Sequence, residues 1–141
     1  MAIINSDIHS VSKTFAFDGT SGNGAVGTAA IFSVSGEVRI KVFGVCAEDL
    51  TGTGGNIHVG TNGSAESFVG STVVTAIDVN EIWLDTSPGP DVDNYSNIPE
   101  KILVNGNDVI YQISGTAVTD GTIRFIAYWT PVSEDGSVSA A

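Results

Sequence analysis

The chain has 141 residues, with 16 Asp and Glu against 5 Lys and Arg and a net charge of −11. That balance repels phosphate backbones and anionic lipid, which argues against direct binding to nucleic acid or to a membrane surface. Hydrophobic residues reach 42% and charged ones only 15%, enough apolar surface to build a core rather than stay disordered. Val, Ile, Thr, Ser and Gly are abundant and leucine is confined to Leu50, Leu84 and Leu103, so strands are favoured over helices.

The N-terminal MAII is apolar and reads, with the rest of residues 1–7, as an arm that needs a neighbour to cover it. It lacks the basic flank and apolar run of a signal peptide, and no stretch of about 18 apolar residues exists to cross a membrane. Synthesis in a cytoplasm is expected. SKTFAF and AAIFSVS are the first short strand candidates. GEVRIKVFGVC, 36–46, then alternates Val38, Ile40, Val42 and Gly44 against Arg39, Lys41, Phe43 and Val45, the period-two signal of a strand. Its second face turns from charged to apolar, so the strand should pass from solvent into a contact. Cys46 is the single cysteine; it excludes an intrachain disulfide and, in an apolar run, reads as buried and inert.

TGTGGNIHVGTNG, 51–63, has the glycine density of a phosphate-binding loop but not its pattern. No lysine follows the glycines, and the dinucleotide fingerprint begun by Gly52-Thr53-Gly54 meets Ile57 where a third glycine belongs. The stretch is expected to hold two turns around a short strand, Asn56–Gly60. ESFVG, EIWLD and KILV are further short strands. DTSPGPDVDNYSNIPE, 85–100, is rich in proline, which cannot donate to a ladder, and reads as a long loop. DVIYQIS, 108–114, alternates again. TIRFIAYWT, 122–130, carries large apolar groups on both faces, as a central or doubly covered strand does. Asp18-Gly19, Asn62-Gly63, Asn105-Gly106 and Asp120-Gly121 mark tight turns. The end, 132–141, is small and polar and reads as an extended arm or a frayed tail. About nine strands with no helical period make an all-β chain, expected to be one β-sandwich domain of jelly-roll type over 1–141.

Catalytic and metal chemistry find little support. Zinc would need three or four N or S ligands, and the chain offers only His9, His58 and Cys46, without ligand spacing. Asp91, Asp93 and Asn94 start like a calcium loop, and Asp85 or Glu100 could join a looser site, but Tyr95 and Ser96 break the EF-hand pattern. Serine with His58 could form part of a triad, yet there is no nucleophile elbow. No enzyme, cofactor or metal is expected. Trp83 and Trp129 read first as core, and second as interface or sugar-stacking residues.

GTAAIFSVSGEVRIKVFGVCAEDL, VVTAIDVNEIWLD and TDGTIRFIAYWTPVSEDGSVSAA, in that order along most of the chain, resemble small β-rich virion structural proteins of tailed bacteriophages, with capsid decoration (cement) proteins as the nearest functional group. The resemblance implies a compact β-domain, often trimeric, made in the host bacterial cytoplasm and bound to the capsid exterior, where it bridges major capsid protein subunits. It carries over no site residues. Contact residues expected for such a role are Met1, Ile3 and Ile4 of the arm, Tyr95 of the long loop, and Trp129 with Pro131. The alternatives are a tail or head-fibre component, and a carbohydrate-binding module stacking sugars on Trp83 or Tyr95.

Overall fold

The computed structural model describes residues 7–89 and 91–141; Met1, Ile3 and Ile4 lie outside the described residues. These hold ten strands: β1 His9–Ala16, β2 Gly27–Ser35, β3 Val38–Thr51, β4 Asn56–Thr61, β5 Ser64–Val73, β6 Ile82–Trp83, β7 Glu100–Leu103, β8 Val109–Ser114, β9 Asp120–Pro131 and β10 Ser137–Ala140. One sheet runs β1-β9-β3-β6, with β7 also on β3; the other runs β10-β2-β8-β4-β5. Strands 1, 9, 3 and 6 facing strands 2, 8, 4 and 5 is the order of two interlocked Greek keys, a jelly roll. Every pairing is antiparallel.

The alternation in β3 and β9 sets the interior. Ile40 pairs with Trp129, Val42 with Ala127 and Gly44 with Phe125; Val38, Ile40, Val42, Ile123, Phe125 and Ala127 have no exposed surface. β8 lies between β2 and β4 and is buried at Val109, Ile110, Tyr111 and Ile113. Tyr111, Phe15, Phe17 and Phe125 meet as edge and stacked pairs between the sheets. Gly44 sits where a side chain cannot: a Cβ there would lie 2.8 Å from Ile123 Cδ1 and 3.5 Å from Trp83 Cε3. The missing side chain leaves room for the indole of Trp83, opposite Gly44 in the register.

Polar groups inside the sandwich are paired at its two most demanding points. Trp83 Nε1 donates to Thr72 Oγ1 at 3.0 Å, and that hydroxyl donates to the Gly70 carbonyl at 2.9 Å, joining β6 of one sheet to β5 of the other. The Tyr111 hydroxyl accepts from Gly24 N and donates to Gly22 O, so the β1–β2 loop is tied to the core. Burial pushes the Tyr111 phenol above its ordinary range, keeping it neutral and able to donate.

Two expectations about local structure change. The end of the chain is not frayed: Val138 packs into the core and Ser137–Ala140 pair with β2. Its short, polar sequence masks one inward residue, Val138, which alone carries the burial. Lys13 Nζ lies 2.6 Å from Ala141 O and 3.4 Å from Ala30 O, fastening this edge to the opposite sheet. Asp120-Gly121 is not a turn but the start of β9, with Gly121 at φ +102 where a Cβ would lie 2.4 Å from Asp49 O; it forms an irregularity against β3, whose register shifts between Cys46 and Glu48 and again before Thr51. Asn105-Gly106 does take positive φ at both residues, 58 and 64, yet it carries the chain from one sheet to the other instead of closing a hairpin. Asn56–Thr61 is a strand between turns, and β4 and β5 close across Asn62-Gly63 with Thr61 opposite Ser64.

Replacing Trp83 by Phe removes the Thr72 hydrogen bond and leaves a void beside Gly44. The expected cost is about 2–3 kcal/mol in denaturant unfolding, with the slope unchanged. A change below about 0.5 kcal/mol would mean that the indole does not join the sheets.

Candidate functional surface

The outward residues of β1, β9 and β3 form one continuous face. Ser10 stands beside Tyr128 and Ser12 beside Ile126; Tyr128 stands beside Lys41, Ile126 beside Phe43, and Arg124 beside Val45. Large groups therefore occupy the two central strands, and small hydroxyl residues occupy the edge strand. The long loop folds over the far side: Tyr95, in the 3₁₀ turn Tyr95–Asn97, reaches back to Tyr128 with ring centroids 5.6 Å apart. Lys41 lies over the Tyr95 ring at 4.0 Å and donates to Tyr95 O at 3.1 Å. Phe43 stacks on Tyr128 at 6.0 Å. Such a cation–π contact with a backbone hydrogen bond holds a loop that would otherwise be mobile.

Tyr128 divides the face into clefts. One of about 190 Å³ opens under the loop, lined by Phe43, Ile82, Leu84, Tyr95, Ile98 and Tyr128 among others. A groove of about 280 Å³ runs along β1, beside Arg124, Ile126 and Tyr128. A shallow third cleft brings Tyr95 and Trp129 together with Ile8. Tyr95 is 50% exposed and Ile8 62%. Trp129 is half-buried, stacks on His9 at 4.5 Å and packs against the core; Pro131 follows it, paired with Val38. So the structure draws Tyr95 and Trp129 into one cleft. Sequence reasoning missed Tyr128, Phe43 and Arg124 as surface groups, although the apolar outward residues of β9 were the available signal.

The other candidates have separate occupations. Trp83 is 0% exposed, so it offers no platform to a sugar. His58 Nε2 pairs with Gln112 Oε1 at 3.1 Å, while His9 stacks on Trp129. Asp93 Oδ1 accepts from Asn94 N and Asn97 Nδ2, Asp85 Oδ1 from Ser87 N, and Glu100 sits 3.7 Å from Arg39; these carboxylates shape the loop and its anchor. Among the described residues no group of three or more His, Cys, Asp or Glu is placed to hold a metal ion. Cys46 is buried, its Sγ 3.0 Å from Glu48 O. Burial first, and then the nearby Asp49, Asp78 and Glu81 carboxylates, push its thiol up to about 11.

No protein-family model and no curated protein matches the chain. Among solved structures, a chain of the acidic stable capsid structure of Helicobacter pylori bacteriophage KHP30 is similar at 11% identity over 96% of this chain and 94% of that one, with a TM-score of 0.54. The two share a fold end to end. A chain of the cyanophage Pam1 capsid asymmetric unit aligns at 19% identity over 89% and 86% of the two chains, with a TM-score of 0.48.

Three outcomes follow. At pH 8 the native Cys46 thiol should react with a maleimide on the order of 100-fold more slowly than in denaturant, because so little thiolate is present. Since the fold favours the protonated thiol, wild type should lose stability relative to Cys46→Ala as pH rises from about 9 toward 11, and not below that window; equal pH profiles would contradict the burial. Tyr128→Ala should speed hydrogen exchange in the loop around Tyr95 while β8 stays protected. Unchanged loop exchange would show that Tyr128 does not hold it.

Proposed function

We propose that the chain is a virion structural protein of a tailed bacteriophage, a head decoration protein that binds the capsid exterior and bridges major capsid protein subunits as a homotrimer. The observation that carries this reading is the end-to-end likeness of its jelly roll to a chain in a phage capsid structure. The resemblance of the sequence to small phage virion proteins points the same way. The physics is compatible. An inert interior with a deeply buried thiol and no disulfide suits assembly in a reducing cytoplasm. Net charge of −11 keeps free copies soluble and away from DNA. Several modest contacts made at once by a symmetric oligomer bind a lattice far more tightly than one.

In this reading the cleft of Tyr95, Trp129 and Ile8 faces the shell, and Pro131 with the arm residues Met1, Ile3 and Ile4 are further contact residues. Exposed aromatic residues beside a rigid sheet are the kind of anchor that dominates interface energy. A tail or head-fibre component is the rival reading.

The chain should co-sediment with purified mature heads of the phage that encodes it and raise their resistance to heat. Tyr95→Ala should weaken that binding about tenfold or more while leaving the unfolding midpoint nearly unchanged. Presence on tails and absence from heads would replace decoration by the rival reading.

A further inference from the structure

The sheet β1-β9-β3-β6 has two unlike edges. At the β1 edge lies the groove beside Arg124, Ile126 and Tyr128. Arg124 is exposed, and among the described residues the ion pair is between Arg39 and Glu100, which leaves Arg124 unpaired. The outward positions from Ser10 to Thr14, Arg124 to Thr130 and Arg39 to Val45 include Arg39, Lys41 and Arg124 but no carboxylate. On the neighbouring β7, Glu100 stands opposite Lys41 and pairs with Arg39, and Lys41 is held by Tyr95, so Arg124 is the cation that this face leaves open.

At the opposite edge, just before β6, the turn Asp78-Val79-Asn80-Glu81 forms an acidic knob. Val79 is 46% exposed at its tip. The knob is held rigid: Val79 N donates to Asp49 Oδ1 and Asp78 N to Glu81 Oε1, both at 2.7 Å, and Asn80 N donates to Cys46 O at 2.8 Å. Asn80 takes a φ of 67 to make the bend. Asp49, Asp78 and Glu81 all bear on the Cys46 thiol, so their charges gather at one corner, and no described cation makes an ion pair there.

We propose that the knob Asp78–Glu81 of one copy docks in the β1–β9 groove of the next, with Val79 against Ile126 and Tyr128 and with Asp78 facing Arg124. Within one copy Arg124 and β6 are separated by β3, two strand spacings or about 10 Å, and the knob carboxylates make no ion pair with Arg124, so each finds its partner on another copy. The contact joins two different surfaces and is therefore head-to-tail, the type that closes into a ring when the rotation allows. It deepens the proposed trimer and rests on that reading for the number of copies alone. It leaves the Tyr95 cleft for the shell.

Light scattering on the full chain across a concentration series tests it. Wild type should associate at low salt and less so at about 0.5 M salt, where charges beyond a few ångströms are screened. Arg124→Glu and Asp78→Lys should each weaken the association constant about tenfold or more, and the two together in one chain should restore it to within about threefold, since the charges are then exchanged. Val79→Ser should weaken it with little change in salt dependence. A monomer at every concentration, insensitivity to both charge reversals, or a double variant as weak as the worse single one would overturn the inference. If Arg124→Glu instead abolishes head binding by a monomeric chain, the groove belongs to the shell: the knob contact falls and decoration stands. If the charge-exchanged oligomer forms but never binds heads, decoration falls and the knob contact stands.

Discussion

The register of β3 against β9 is the constraint on which the rest depends. With Ile40 opposite Trp129 and Lys41 opposite Tyr128, one set of residues fills the core and the other builds the outward face. A slip of β3 by a single residue would bring Arg39 and Lys41 inward and send Ile40 and Val42 into water. Burying two cations away from their surface partners is prohibitive, so the same pairing that makes the sandwich also fixes the exterior pattern. Gly44 adds to this: it lies opposite Trp83, where a Cβ would crowd Ile123, and Trp83 in turn reaches Thr72 on the other sheet. Core and surface are thus two readings of one alignment.

Much of the fold was legible because the longest strands are also the most regular. GEVRIKVFGVC and TIRFIAYWT alternate cleanly, and both are central in their sheet. The nine strand candidates correspond to β1 through β9. What stayed hidden is what depends on distant partners. Val138 in SVSA looks like a solvated tail residue until β2 supplies a neighbour and Lys13 closes the corner. Asp120-Gly121 has the chemistry of a turn, but Asp49 and Leu50 lie too close for any side chain at 121, and the dipeptide is used inside a strand. Strand order, too, follows from non-local pairings that no local pattern announces.

The surface was half visible. Tyr95 in a proline-rich loop and Trp129 near a strand end stood out by residue type, and the structure places both at one cleft. Tyr128 and Arg124 were read as one face of a central or doubly covered strand, and Phe43 as part of a face passing from solvent into a contact. Phe43 and Tyr128 are partly covered, whereas Arg124 is exposed, because the loop covers only part of the sheet. The charge distribution had the same ambiguity. A total of −11 suggests a uniformly acidic exterior, whereas Arg39, Lys41 and Arg124 share one face with Glu100 as the neighbouring carboxylate, and an acidic knob sits beside β6.

The central claim is that this sheet face is built to be covered by protein neighbours on a phage head. Electron microscopy of the intact particle tests it most directly. The jelly roll should appear on the outside of the head, with Arg124 and Tyr128 buried beneath an adjacent copy and Tyr95 turned to the shell. Finding the chain elsewhere in the particle, or finding it on the head with that face open to solvent, would contradict the claim.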